Sequence, residues 1–396
     1  MPGEEDEHTM VRLSRAQLQE QNRAKVLAAA GEEFTVRGFR DAKIDSIAER
    51  AGLTRGAVYS NFPGKRALYF SVLAALADAA PAPPHPEPGR TARTALGAFA
   101  RAWLAPLPLA ADERDGAARI GLDLMPTVLA DERIQLPFAQ LMKVDAILLG
   151  LALEQVRPSA GRQVRLAESV LTTLHGASRL AAAAPGFVDP FNIVGACEHL
   201  AALDLADAWP PPHLPYAPQA RPADAPWSPP PAVDALRGEP VDLSGDGVVA
   251  VLGLHRLEAV EEAVRAARPG DQVTAALVTG DPDELGPLAR LTVTELARGL
   301  RQAFPESAWP RLRLVHDERG VLAAAAGVPA VSDGTEAAVR VAAGRVVARA
   351  DGRGACHATA SAGSQRASNG PGADGRHPPE RGAEPGSRRA IGRDGA

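Results

Sequence analysis

The chain has 396 residues, more than one hydrophobic core usually serves, so about two or three domains are expected. Apolar residues make up 45 %, aromatics only 4 %, and the net charge is −5, a globular composition whose overall charge alone would argue against nucleic acid. Two distant cysteines, Cys197 and Cys356, exclude a disulfide framework and a cysteine metal cluster, and suit a reducing cytosol. The start, Met1 to Glu7, is acidic and lacks the apolar run of a signal peptide. No apolar stretch reads as long enough to span a membrane, so a cytoplasmic location is expected.

Residues 1–14 are expected to be disordered. Ala16 to Arg37 reads as a helix with Val26, Leu27, Ala30 and Phe34 on its apolar stripe, and Gly38-Phe39 ends it. Arg23 and Lys25 flank that stripe and can reach phosphates. In the next stretch, 43–65, Ile44, Ile47, Ala48 and Ala51 recur at helical spacing, and Gly52 supplies a residue that tolerates positive φ. Thr54 is a good N-cap for a second short helix with Val58 and Phe62 inward, and Pro63-Gly64 stops it. Two short helices joined this tightly are the arrangement of a DNA-binding helix-turn-helix. The charge distribution agrees, because Val11 to Phe70 holds eleven Lys/Arg against six Asp/Glu.

This stretch resembles the N-terminal domain of TetR-family transcriptional regulators. The resemblance rests on Ile47-Ala48, Ala51-Gly52-Leu53-Thr54, Gly56, Tyr59, Phe62 and Lys65, with Gly38-Phe39 before and Leu68 after. Lys43 departs from it, since the family usually has a small hydroxyl residue there that contacts phosphate. A lysine can serve the same end. Lys65 to Ala79 reads as a longer helix, which the resemblance makes the link between a DNA-binding domain, 15–80, and a regulatory body.

The prolines of 81–88 break the helical pattern and make a connector. Residues 90–207 return to helical periodicity, with helices expected near 91–104, 113–125, 131–156, 159–184 and 190–205. Their order fits the TetR regulatory domain, which implies a homodimer paired through the last two long helices, a palindromic operator and a small-molecule effector. A proline-rich linker is expected over 208–240. Residues 1–208 are expected to fold and bind DNA alone.

After the linker the period changes. Strands are expected at 248–252, 272–279 and 312–315 and a hairpin at 339–350, with helices near 256–267, 291–304 and 320–327, an α/β domain over 241–350. Leu314 to Val328 is similar to the middle of thioredoxin-like and peroxiredoxin-like domains. Those domains work through a low-pKa cysteine at a helix start. Here the place after the first strand is Gly253-Leu254-His255-Arg256, and no thiol is present. From Asp351 to Ala396 large apolar residues are almost absent, and disorder is expected.

The expected fold is therefore multidomain: an all-α TetR-like helix-turn-helix and helical regulatory domain, then a small α/β thioredoxin-like domain. The DNA-contact candidates are Lys43, Thr54, Arg55, Gly56, Ala57, Tyr59, Ser60, Asn61 and Lys65. Arg55 is the base reader, since arginine pairs bidentately with guanine, and Gly56 and Ala57 leave room for close approach. Thr54 and Lys43 suit phosphates. Phe99, Trp103, Met125, Phe138, Met142 and His175 are candidates for an effector pocket between helices. No catalytic residue, metal site or cofactor is expected. The leading function is a ligand-responsive DNA-binding repressor, and the alternative is a redox-sensing or enzymatic fusion protein.

Overall fold

The computed structural model describes residues 14–80, 87–109, 117–209 and 218–362. The expectations for most of 1–14, for 81–86, for 210–217 and for the tail beyond 362 lie outside these residues. The described residues, which end at Ala362, form one compact unit.

Among the described residues, ten helices open the chain. They are α1 (Arg15–Asp41), α2 (Ile44–Arg50), α3 (Arg55–Asn61), α4 (Lys65–Ala79), α5 (Ala92–Leu104), α6 (Ala117–Leu122), α7 (Leu124–Leu129), α8 (Glu132–Val156), α9 (Val164–Ala183) and α10 (Pro190–Leu200). Side-chain caps hold the helix starts. Ser14 and Gln17 form a capping box at α1, Thr91 and Thr94 one at α5, and Asp189 precedes Pro190 at the start of α10. α9 starts later than periodicity alone suggests, because Pro158–Ala160 forms a 3₁₀ turn and Gly161 takes φ +68°. α8 is apolar and long enough to cross a membrane by composition, contrary to expectation. Most of it is buried inside the protein, as the core helix of the body.

The second half comprises β1 (Arg221–Pro226), β2 (Ala232–Asp234), β3 (Glu239–Val241), β4 (Gly247–Gly253), α11 (Ala259–Ala266), β5 (Gln272–Val278), α12 (Leu285–Ala303), β6 (Leu312–His316), α13 (Val321–Ala325), β7 (Glu336–Ala342), β8 (Arg345–Asp351) and α14 (Ala355–Ser361). Six of the described strands make one mixed sheet in the order β1-β8-β7-β4-β5-β6. β4, β5 and β6 run parallel, while β7 and β8 form an antiparallel hairpin against β4. Central β4 is buried along its whole length, as an inner strand covered on both faces must be.

Two expectations change. The linker assigned to 208–240 contains strands β1, β2 and β3. Among the described residues β1 pairs only with β8, and an edge strand tolerates Pro222 and Pro226 because one row of its amides needs no partner. Trp227, at its end, is buried and donates from Nε1 to Leu243 O at 2.7 Å. The tail assigned from Asp351 begins instead with α14, whose Ala355, Cys356 and Ala360 are buried. Small side chains there bring the helix backbone close to β7, where Thr359 Oγ1 donates to Ala338 O.

The two halves share one hydrophobic core. α12 lies in a trough formed by α4, α5 and α8. Where a Cβ on Gly299 would sit, the Phe99 ring is 2.7 Å away, so glycine is what lets α12 approach α5 this closely. Thr294 donates to Asp78 at 3.1 Å, and Arg298 donates to Ala77 O. On the far side Arg265 of α11 holds Glu154 of α8 bidentately at 2.6 and 2.7 Å, and Arg162 holds Glu261 at 2.7 Å through two nitrogens. This packing runs against independent folding of 1–208, because removing α12 would uncover the apolar trough it fills.

Candidate nucleic-acid interface

α2 and α3 form the helix-turn-helix. Ile47, Ala48, Val58 and Phe62 are buried and fasten both helices to α1. Gly52 turns the corner at φ +65°, with open space around it, and its N–H donates to Glu49 O. Thr54 caps α3, its hydroxyl accepting from Ala57 N at 3.2 Å.

One anchor was not read from the sequence. Glu33 on α1 is only 1 % exposed, yet it meets Arg37 at 3.2 Å, Arg50 at 3.3 Å and the Lys43 backbone N–H at 3.3 Å. One carboxylate thus ties α1 to both ends of α2. Its signal was the break in the apolar pattern at the last turn before Phe34.

The candidates distribute unevenly. Lys43, Thr54, Arg55, Gly56, Tyr59 and Ser60 are exposed, and Ala57 is half-buried. Arg55 lies over the Tyr59 ring at 5.6 Å and faces Asp45 at 3.4 Å, and these neighbours raise its pKa further. Ser60 turns its hydroxyl back to Ala57 O at 2.9 Å, leaving oxygen lone pairs free to accept. Asn61 departs from expectation: its amide donates to Ala57 O at 2.8 Å and its Oδ1 is buried. Its backbone carbonyl accepts from Arg23, whose guanidinium stacks over Phe62 at 4.3 Å. Asn61 and Arg23 thus close α3 onto α1. Lys65 sits over the Phe39 ring at 5.0 Å and donates to Arg40 O, and burial lowers its pKa.

A cleft of about 490 Å³ beside the end of α3 is lined by Glu20, Arg23, Tyr59, Ser60 and, from the second half, Asp283 and Arg319. No periodicity could place those two residues here.

Of the pocket candidates, three come together. Phe99 and Trp103 have ring centroids 6.1 Å apart, and Trp103 meets His175 edge-on at 4.8 Å while donating to Ser178 at 3.0 Å. Burial holds His175 neutral, down to about 4. Phe99 is fully buried against α12. Phe138 and Met142 share one face of α8, and Met125 lies on α7, which packs on α8. The thiols are poor redox groups: burial pushes Cys197 up to about 11 and Cys356 well above its usual range.

Comparison with known proteins fits this geometry. Residues 26–72 match the family model of bacterial regulatory proteins of the tetR family, so the chain carries a TetR-family helix-turn-helix domain. The HTH-type transcriptional regulator SrpR of Pseudomonas putida is 47 % identical over 55 residues, 14 % of this chain and 26 % of that protein. TtgW of the same species, also described as an HTH-type transcriptional regulator, is 45 % identical over 65 residues, 16 % of this chain and 48 % of that protein. The HTH-type transcriptional activator FasR of Mycolicibacterium smegmatis is 41 % identical over 54 residues, covering 14 % and 25 %. The matches thus span less than half the length of these curated relatives. A transcriptional regulator from Rhodococcus sp. Rha1 aligns with 48 % of this chain and 99 % of its own, at 24 % identity and TM-score 0.31.

Proposed function

We propose that the protein is a DNA-binding transcriptional regulator that recognises a palindromic operator as a homodimer and responds to a small molecule. The observation that carries this reading is the outward face of α3. Arg55, Gly56, Tyr59 and Ser60 lie exposed together on a helix fastened from behind by Val58, Phe62, Arg23 and Glu33. A fixed helix with an arginine and small residues outward suits a major groove, and Lys43, Thr54 and Lys65 suit the flanking phosphates.

Dimerisation is read from α9 and α10, beside which Leu180, Phe187 and Phe191 are left exposed. Clustered apolar exposure of this kind marks an interface. Leu171 and Leu174 are buried within the protomer and serve its own core instead. The Phe99–Trp103–His175 stack supports an effector site in the body. Repression is the direction expected of a regulator whose effector releases it from DNA.

The second half is read as a thioredoxin-like module without catalysis. Its parallel β4–β5 pair followed by the β7–β8 hairpin and α14 supports that reading, and Gly253-Leu254-His255 stands where a reactive cysteine would be needed. Selection of bound sequences from random DNA with purified protein tests the proposal. An enriched inverted repeat is expected, and failure to enrich any sequence would overturn it.

A further inference from the structure

The face of the sheet turned away from the helical body carries a cavity of about 80 Å³ among β4, β7, β8 and the turn after α13. By this measure one water needs about 10–15 Å³, so the space takes a group of several heavy atoms. Val251 and Val339 line its apolar side, and Arg221, Arg349 and Asp351 supply its charge.

The two arginines stand directly opposite each other on antiparallel β1 and β8, and Arg349 is opposite Val339 on β7, so all three side chains share one face. Opposed side chains in such a pair keep their Cβ atoms roughly 4.5–5.5 Å apart, and like charges there repel. Asp351 answers one of them: its carboxylate accepts from Arg221 at 2.5 Å. Arg349 is left over. It is half-buried, its Nε is shut off from solvent without a partner, and among the described residues its guanidinium makes no hydrogen bond and no ion pair.

The fold nonetheless holds this guanidinium in place. Gly327, at φ +80°, carries the chain from α13 across it, and a Cβ there would lie 2.9 Å from Nη1 and 3.3 Å from Cζ. A residue without a side chain lets the main chain close this tightly over an arginine. A guanidinium cannot relieve its burial by losing a proton. It needs an anion, and the cavity that it lines has room for one.

We propose that this cavity binds the carboxylate of a small aliphatic acid, with Arg349 as its main partner. Arg221 and Asp351 cancel, so the site offers one net positive charge and suits a monoanion. The guanidinium fork matches a planar carboxylate through two parallel hydrogen bonds, with the unpartnered Nε as one donor. Val251 and Val339 receive the short chain. The site is apart from the Phe99–Trp103–His175 stack, and it stands or falls without the DNA-binding reading.

The test uses the full chain and isothermal titration with butyrate, its neutral analogue butyramide and inorganic phosphate. Butyrate should bind about tenfold more tightly than butyramide, the ratio that separates a charged hydrogen bond from a neutral one. It should also bind more tightly than phosphate. Butyrate should raise the melting temperature of wild type above that in chloride at equal ionic strength, and butyramide should not. Arg349→Met removes the charge and keeps an unbranched side chain. It should abolish the preference for butyrate and, without ligand, melt at or above wild type, because no unpaired charge then faces Arg221. Equal binding of butyrate and butyramide, phosphate bound as tightly as butyrate, or no stabilisation of wild type beyond chloride would overturn the site. So would an Arg349→Met variant that keeps the preference, or one that melts well below wild type, since the protein itself would then be holding the guanidinium.

Discussion

The Phe99 ring stands 2.7 Å from the point where a side chain on Gly299 would begin. This is one of several contacts that join the helical body to the α/β half, and it has consequences for how the chain unfolds. Gly299→Val should force α12 out of its trough at a cost of about 1–3 kcal/mol, as overpacking does. A chain cut after Asp207 should expose the trough and lose cooperative folding. Calorimetry of the full chain should give a single main transition. Two well-separated transitions, or a soluble, cooperative 1–207 fragment, would show that the halves are independent.

Glu33 sets the angle between α1 and α2, so Glu33→Gln should weaken DNA binding without touching DNA. Removing the charge leaves Arg50 and Arg37 without their buried acceptor and should cost about 1–3 kcal/mol of stability. Urea unfolding and operator affinity should fall together. Unchanged stability would mean that Arg50 is held by Glu32 alone, at 3.2 Å.

The acid response should come from His175 and His316, both held neutral by burial, down to about 4. The unfolded chain takes up these protons near the ordinary value of about 6.5. Their contribution is therefore complete above pH 6.5 and is lost as pH falls towards 4, by no more than about 3 kcal/mol each. Glu295 acts in the opposite sense. Its carboxyl is raised to about 7, so its contribution is greatest below about pH 4.5 and is lost as pH rises through 7. Glu295→Gln should thus raise the melting temperature above pH 7 and leave it unchanged near pH 4.5. His175→Gln should reduce the acid loss. Melting curves from pH 4.5 to 8 check both signs.

Phe187 and Phe191 are 71 % and 84 % exposed, so charging them should leave the protomer intact. Phe191→Asp should change stability by less than about 0.5 kcal/mol while halving the sedimenting mass. A variant that remains dimeric would place the interface elsewhere.

The helices were legible wherever one face is apolar and a cap is present. The 131–156 and 91–104 expectations fall within one residue of α8 and α5 for that reason. α12 begins six residues before the expected start, because Gly286 and Pro287 read as breakers although a first turn tolerates them. β1 was hidden by its prolines and α14 by its small side chains, since neither carries the large apolar residues that mark a core element. The outward face of α3 was legible because fixed residue types at fixed spacing define it. Glu33, Asn61 and Arg319 were not, because each depends on segments that meet only in the folded chain. α12 itself looked like a helix of the α/β half, and nothing local says that its other face completes the helical body.

The central claim is that α3 reads DNA. Its most direct test is the affinity of wild type, Arg55→Ala and Lys65→Ala for the selected operator and for single-base variants of it, across a salt series. Lys65→Ala should weaken binding about equally for every sequence and flatten the salt dependence by about one counterion. Arg55→Ala should also cost about 1–3 kcal/mol and relax preference at one base pair of each half-site. If both variants bind the operator like wild type, with the same base preference and salt slope, α3 is not the recognition helix and the account is wrong.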